Sequence, residues 1–257
     1  MLVVRAVVFA AFGLAVGSFL TVVIHRVPRR ESIVAPRSAC PACGAQIGAR
    51  DNIPVLSYLL LAGRCRHCRA PISAEYPAVE ALTGGAFLGA ALAFGDVWVA
   101  ALVAGFLAVV EAAAAIDLHH RIIPNRILYP SLAAFTVAVA ALWVAGRRVS
   151  LAGAALGLLA YGGGLLVVAV VSRSGMGMGD VKLAGLVGLV LGALGWQYVG
   201  VAAALGILAG GLLAIAALLR GARRKDVLPF GPSIALGALF SALFAPHVAA
   251  WYTSALR

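Results

Sequence analysis

Long apolar runs separated by short polar segments dominate the chain. The runs lie at about 2–24, 78–95, 97–116, 127–145, 151–171, 181–195, 197–219 and 233–250. A membrane-crossing helix needs roughly 20 apolar residues, with a range of about 17–25. The pattern therefore predicts an all-α, polytopic membrane protein with about eight transmembrane helices. The sixth run is short, and the second carries Gly84, Gly85 and Gly89. Glycine and alanine are abundant across the chain, which suits close helix–helix approach in lipid. The first run has the charged start of a signal peptide in Arg5. Its apolar part, Val7 to Ile24, is longer than the roughly 7–15 residues of a signal's apolar region, and no small-residue cleavage site follows. It is read as a retained span. The one long polar stretch is 25–77.

Composition narrows the class. Of 257 residues, 63% are hydrophobic and 11% charged, against about 45–50% and 25% in soluble domains. A disordered chain, a soluble enzyme and a disulfide-rich secreted module are excluded. The formal net charge is +11. Its cations fall between apolar runs rather than on a basic face, so no nucleic-acid partner is expected. Sixteen of the 20 Lys and Arg lie in 25–77, 117–126, 172–182 and 220–232. Arg5, Arg147, Arg148 and Arg257 lie in the alternate segments and chain ends. Positive charge marks the cytoplasmic side, so the 25–77 loop is expected there and both chain ends outside. The loop arginines are expected to meet anionic membrane lipids, at about 1 kcal/mol each.

Cys40, Cys43, Cys65 and Cys68 are the only cysteines, spaced C-x2-C-x21-C-x2-C. Two C-x2-C pairs supply four thiolates, enough for a closed tetrahedral zinc site with no open position for water. A reducing cytosol favours metal over disulfide, and Arg64, Arg66, His67 and Arg69 favour the thiolate form. The expectation is a structural zinc staple in a polar loop; a redox pair or unmetallated thiols are the other options.

Acids at a membrane edge are functional candidates. Asp117 opens the segment Asp117-Leu-His-His-Arg-Ile-Ile-Pro124-Asn125. Asp180 ends the run Gly175-Met-Gly177-Met-Gly179-Asp180. Topology puts both at the cytoplasmic edge, although about 60 residues separate them. The glycines remove side-chain bulk and let another chain approach. Two convergent carboxylates would share one proton and act as acid and base together, as in an aspartic protease. The plainer options are an N-cap role for Asp180 and an ion pair of Asp117 with Arg121 or Arg126. Glu80 and Glu111 also carry charge in or beside spans. His119 and His120 read as interfacial polar residues, and Asp96 as a solvated turn residue.

These residues resemble the type IV prepilin peptidase family, of the GxGD class of intramembrane aspartic proteases. Gly17-Ser-Phe-Leu-Thr-Val-Val-Ile-His-Arg-Val-Pro28 resembles its opening motif. Cys40-Pro-Ala-Cys43, Asp51-Asn-Ile-Pro-Val-Leu-Ser-Tyr58, Gly63-Arg-Cys-Arg-His-Cys68, Pro71-Ile-Ser73 and Tyr76-Pro-Ala-Val-Glu80 resemble its cytoplasmic segment. Asp117 with Ile123-Pro124-Asn125 resembles the first aspartate motif, and Gly177-Met-Gly179-Asp180-Val-Lys182-Leu183 the second. Pro229-Phe-Gly-Pro232 resembles the last. Thr21 and His25 depart from the family's more usual Asn and Tyr.

The resemblance implies a bacterial inner-membrane enzyme with two activities. One is cleavage of the basic leader of type IV prepilin or pseudopilin precursors. The other is S-adenosylmethionine-dependent N-methylation of the new N-terminus. It assigns catalysis to Asp117 and Asp180, with Gly177, Gly179, Lys182, Pro124 and Asn125 supporting the active-site loop, and zinc to the four cysteines. Glu80 is a candidate for methyl transfer. The implied organisation is a first span at 1–24, a zinc-binding region at 25–77 associated with methyl transfer, and a peptidase domain at 78–257. A peptidase without methyl transfer is the narrower alternative. A two-carboxylate proton-coupled transporter needs polar residues across the midplane, and the spans offer little beyond Glu111. A non-catalytic scaffold predicts that neither aspartate matters. Helix direction adds one expectation. Asp180 at a helix N-terminus is the ionised partner and Asp117 at a C-terminus the protonated one.

Overall fold

A computed structural model describes residues 1–171, 177–221 and 229–255, the last eight of these by backbone alone. Gly175 and Met176, with parts of the expected 172–182 and 220–232 segments, lie outside the described residues. The described chain is helical, and its β pairing is limited to two isolated bridges. Five helical stretches are long and apolar enough to cross a membrane: Leu2–Arg26, Val97–His120, Asn125–Val144, Leu151–Val171 and Trp196–Leu219. Helices also follow the other three apolar runs, at Glu75–Ala93, Met178–Leu194 and Gly231–Ala255. The chain forms two compact units, Met1–Leu92 and Ala93–Arg257.

The first unit holds α1 (Leu2–Arg26), a single 3-10 turn at Ala49–Asn52, α2 (Leu56–Leu60) and nearly all of α3 (Glu75–Ala93). Gly13 and Gly17 on α1 let α3 come close. A Cβ on Gly17 would stand 2.7 Å from the Glu80 Cα. At the other end the Arg5 guanidinium donates to the Ala91 carbonyl at 2.5 Å.

The second unit is built around α8 (Met178–Leu194). Thirteen of its 17 residues are buried, as expected of a helix that is apolar on every side. It packs against α4 (Val97–His120), α5 (Asn125–Val144), α6 (Leu151–Gly157), α7 (Gly164–Val171), α9 (Trp196–Leu219) and α10 (Gly231–Ala255). At 1.5 Å per residue α8 is only about 26 Å long. Its neighbours, rather than lipid, surround it.

A glycine seam fixes α6 on α8. Gly153 abuts Gly192, and Gly157 abuts Gly188. Four residues later an α-helix would present Tyr161. Instead Leu158–Gly163 is a π-helical turn, which inserts one extra residue. Gly162 then faces Gly185, and a Cβ on it would lie 2.7 Å from the Gly185 Cα.

Two expected helix ends move. α4 runs past Asp117 to His120 and stops at Arg121, which takes a left-handed φ of 55° and returns its N–H to the Asp117 carbonyl at 2.8 Å. Asp117 therefore belongs to the last helical turn. α8 begins at Met178 with Gly177 as its N-cap. Asp180 is thus its third residue and not its cap. Asp96 is more than a solvated turn residue. It caps α4 by accepting from the Trp98 and Val99 N–H groups, and it pairs with Arg147 at 3.2 Å.

Candidate active site and metal centre

Three helices of the second unit bring their ends to Asp117 and Asp180. Asp117 hangs from the end of α4 and Asp180 from the start of α8. They are 4% and 9% exposed, and close enough for their charges to interact. The described partner of Asp117 is neither Arg121 nor Arg126. The Gly231 N–H, at the start of α10, donates to its Oδ2 at 2.9 Å. A Cβ on Gly231 would sit 2.8 Å from that same oxygen, so only glycine delivers the N–H without displacing the acceptor. Gly231 is absent from the sequence-derived site. Its signal was the glycine between Phe230 and Pro232, inside a motif that had been given no role.

The glycines before Asp180 make room of the same kind. A Cβ on Gly177 would approach Asp180 Oδ2 to 3.2 Å, and one on Gly179 would approach the Ile123 Cβ to 3.0 Å. Gly179 thereby lets the Ile123-Pro124 segment lie against the first turn of α8. Pro124 is the N-cap of α5, with the extended backbone a helix entry needs. Asn125 Oδ1 accepts from the Lys182 ammonium at 2.8 Å, and the same ammonium stands 4.8 Å from the centre of the Tyr129 ring. Lys182 thus ties α8 to α5 two residues beyond Asp180. Asp180 Oδ1 is buried and has no hydrogen-bond partner among the described residues. The pair therefore presents an oxygen able to take a water or a shared proton. His119 and His120 are exposed on the last turn of α4.

The expected asymmetry from helix direction does not survive this geometry. The C-terminal end of α4 disfavours charge at Asp117, but the N-terminus of α10 faces the same carboxylate. Both aspartates then lie at helix N-termini, each worth about 0.3–1 kcal/mol, and helix direction no longer distinguishes them.

In the first unit the four cysteines form a cluster. Their sulfurs all lie within 4.8 Å of one another, and Cys40 and Cys68 Sγ are 3.8 Å apart. A tetrahedron with about 2.3 Å Zn–S bonds has edges of about 3.8 Å, so the donor set fits zinc. All four thiols are free of disulfides.

The two halves of the cluster repeat one local design. Cys40 N–H donates to Ala45 O and Gly44 N–H to Cys40 O. Likewise Cys65 N–H donates to Ala70 O and Arg69 N–H to Cys65 O. The turn needs a left-handed residue at its fourth step, Gly44 at φ 71° and Arg69 at φ 62°. The Cys68 and His67 N–H groups aim at the Cys65 sulfur and hold it down to about 6. Cys68 is pushed up to about 11: the Ala70 N–H opposes the rise, while burial and the other sulfurs drive it. Four thiols this close resist losing all their protons until a cation enters.

Arg66, between the paired cysteines, grips Asp51 through Nε at 2.9 Å and Nη2 at 2.6 Å. This fastens the second knuckle to the 3-10 turn, and the guanidinium holds the Asp51 carboxyl below its ordinary value. Glu80 anchors the loop by a backbone contact. Its Oε2 accepts from the Val55 N–H at 2.7 Å, at a residue whose φ is 61°.

Comparison with known proteins finds family matches along both parts of the chain. Residues 11–94 match the Bacterial Peptidase A24 N-terminal domain, and residues 104–215 match the Type IV leader peptidase family. A prepilin leader peptidase/N-methyltransferase of Bacillus subtilis is 36% identical over 246 residues, covering 94% of this chain and 95% of that protein. Proteins of the same name are 35% identical in Burkholderia pseudomallei (90% and 83% covered) and 34% identical in Aeromonas hydrophila (94% and 91% covered). No solved structure matches. With two buried aspartates at the helix ends of one unit and the matched families spanning both, the chain belongs to the type IV leader peptidase family.

Proposed function

We propose that this integral membrane protein is an aspartic endopeptidase that removes the leader of prepilin-like precursors and then methylates the exposed amine. The observation that carries the reading is the meeting of Asp117 and Asp180, remote in sequence and buried, with Asp117 held by Gly231. One proton is shared by the pair. The ionised carboxylate takes a proton from water as the water oxygen attacks the scissile carbonyl, and the protonated carboxyl hydrogen-bonds the carbonyl oxygen. Collapse of the tetrahedral intermediate breaks the C–N bond and delivers a proton to the leaving amine. The Gly231 N–H holds Asp117 in place through these steps. Lys182 and Asn125 fix the start of α8 against α5, and Gly177 and Gly179 keep its approach open.

Methyl transfer is assigned to the 25–77 region, with S-adenosylmethionine as the methyl donor. Glu80 serves there to hold the loop through Val55 rather than to move the methyl group. Zinc held by Cys40, Cys43, Cys65 and Cys68 would crosslink the region. A four-thiolate shell leaves no open coordination position, which suits a structural role. In this proposal the region and the aspartates face the cytoplasm from a bacterial inner membrane, and the bias of Lys and Arg supports that orientation.

The test is purified protein with a prepilin precursor, with and without S-adenosylmethionine, followed by mass spectrometry of the product N-terminus. Wild type gives the cleaved product, carrying one methyl group when the donor is present. Asp117→Asn and Asp180→Asn give no cleavage, yet methylate a precleaved substrate. Cleavage surviving in either variant would sink the assignment. Cleavage without methylation would leave the narrower peptidase.

A further inference from the structure

The second unit carries a cavity at its other end, far from the aspartates. We propose that it binds a phosphate-bearing anion, supplied by the headgroup of a phospholipid in the facing leaflet. The cavity holds about 550 Å³ and is lined by Asp96, Val99, Arg147, Arg148, Leu194 and Tyr198, among others. That volume lies within the roughly 300–1,000 Å³ of ligand pockets. Asp96 precedes α4 and Asp117 lies in the last turn of the same helix, so at 1.5 Å per residue the two ends are about 30 Å apart.

Charge bookkeeping identifies the ligand's sign. Asp96 Oδ1 accepts from the Trp98 and Val99 N–H groups, and its Oδ2 accepts from Arg147. Both oxygens of the cavity's acid are therefore engaged, and the acid offsets Arg147. Arg148 is exposed and has no partner among the described residues. It leaves the cavity with one surplus positive charge and a guanidinium fork free to take two phosphate oxygens. Gly146, in a left-handed turn with φ 69° after the end of α5, sets the two arginines into one loop.

Level identifies the source. Trp98 in the first turn of α4, Trp143 in the last turn of α5 and Trp196 in the first turn of α9 are all exposed at this end. Tryptophans collect where headgroups meet acyl chains, and the cavity opens among the same helix ends. Val99 and Leu194 supply apolar wall beside the arginines, matching a headgroup joined to its chains. In the orientation proposed above this is the outer face, where two adjacent arginines run against the general bias. The site does not depend on the peptidase reading.

Native mass spectrometry of the full chain in detergent tests this. The probes are phosphatidylglycerol, phosphatidylcholine and soluble sn-glycerol 3-phosphate. The variants are Arg148→Gln and Arg148→Lys, with Arg126→Gln, at the opposite end, as control. Wild type and the control are expected to retain phosphatidylglycerol over phosphatidylcholine. Arg148→Gln should lose about tenfold in retention, and Arg148→Lys should lose less, since it keeps charge without the fork. Binding of glycerol 3-phosphate but not of phosphatidylglycerol would overturn the lipid source. Equal retention of phosphatidylglycerol by wild type and a folded Arg148→Gln, or no preference for the anionic lipid, would overturn the site.

Discussion

Replacing Gly231 by alanine perturbs the support given to Asp117 while leaving both carboxylates in the chain. The new Cβ would stand 2.8 Å from Asp117 Oδ2, 3.1 Å from its Cβ and 3.2 Å from its Cγ. A carbon and an oxygen do not approach that closely, so the carboxylate must move by a few tenths of an ångström or more. The 2.9 Å bond from the Gly231 N–H lengthens or breaks. Hydrogen bonds to charged groups contribute about 1.5–3 kcal/mol. At 1.36 kcal/mol per tenfold change in rate, kcat should fall about 10- to 150-fold. Small misplacements of a reacting group give losses of the same order, about 100-fold. The loss is one of carboxylate placement, so kcat should fall by more than KM changes. The assay is steady-state cleavage of a prepilin precursor, with thermal unfolding to confirm that the variant is folded. A folded Gly231→Ala enzyme within about twofold of wild-type kcat would refute the idea that α10 holds Asp117 for catalysis.

The glycine seam and the cysteine cluster yield separate outcomes. Gly157→Ala drives a methyl into the Gly188 carbonyl. Neither backbone can yield in a packed interior, so overpacking should destabilise the second unit by about 1–3 kcal/mol, read as a lower unfolding temperature. Alanine at the half-buried Gly163, where a Cβ meets nothing within 4 Å, should not. Removing zinc with a chelator should lower the unfolding temperature and suppress methylation more than cleavage. Lowering the pH should weaken zinc retention, because the sulfurs must shed protons to bind it and the Cys68 thiol is pushed up to about 11.

Much of the architecture was legible because lipid imposes one rule on every segment it touches. Apolar runs at 151–171 and 197–219 became helices at Leu151–Val171 and Trp196–Leu219. The paired cysteines announced their cluster by spacing alone. Polarity was the weaker guide at helix ends. The apolar pattern stops before Asp117, yet the helix continues until Arg121 turns left-handed, because a helix ends where its backbone bonds end. The π turn at Leu158–Gly163 left no mark in hydropathy. It follows from which glycine must face α8. Nor does periodicity reveal partners: Gly231 lies 114 positions from Asp117, and Arg66 meets Asp51 across the loop. Those contacts come from packing between elements, and a one-dimensional pattern does not carry them.

The dependence of Asp117 on α10 has a consequence for biosynthesis. Translation delivers α4 first, α8 later and α10 after both. A nascent chain that has inserted only through α8 already exposes two acids to a bilayer crowded with other proteins' helices, but the amide that steadies one of them has not yet been made. On the proposed chemistry, competence arrives with the helix synthesised after both acids, so an unfinished protease is also an idle one.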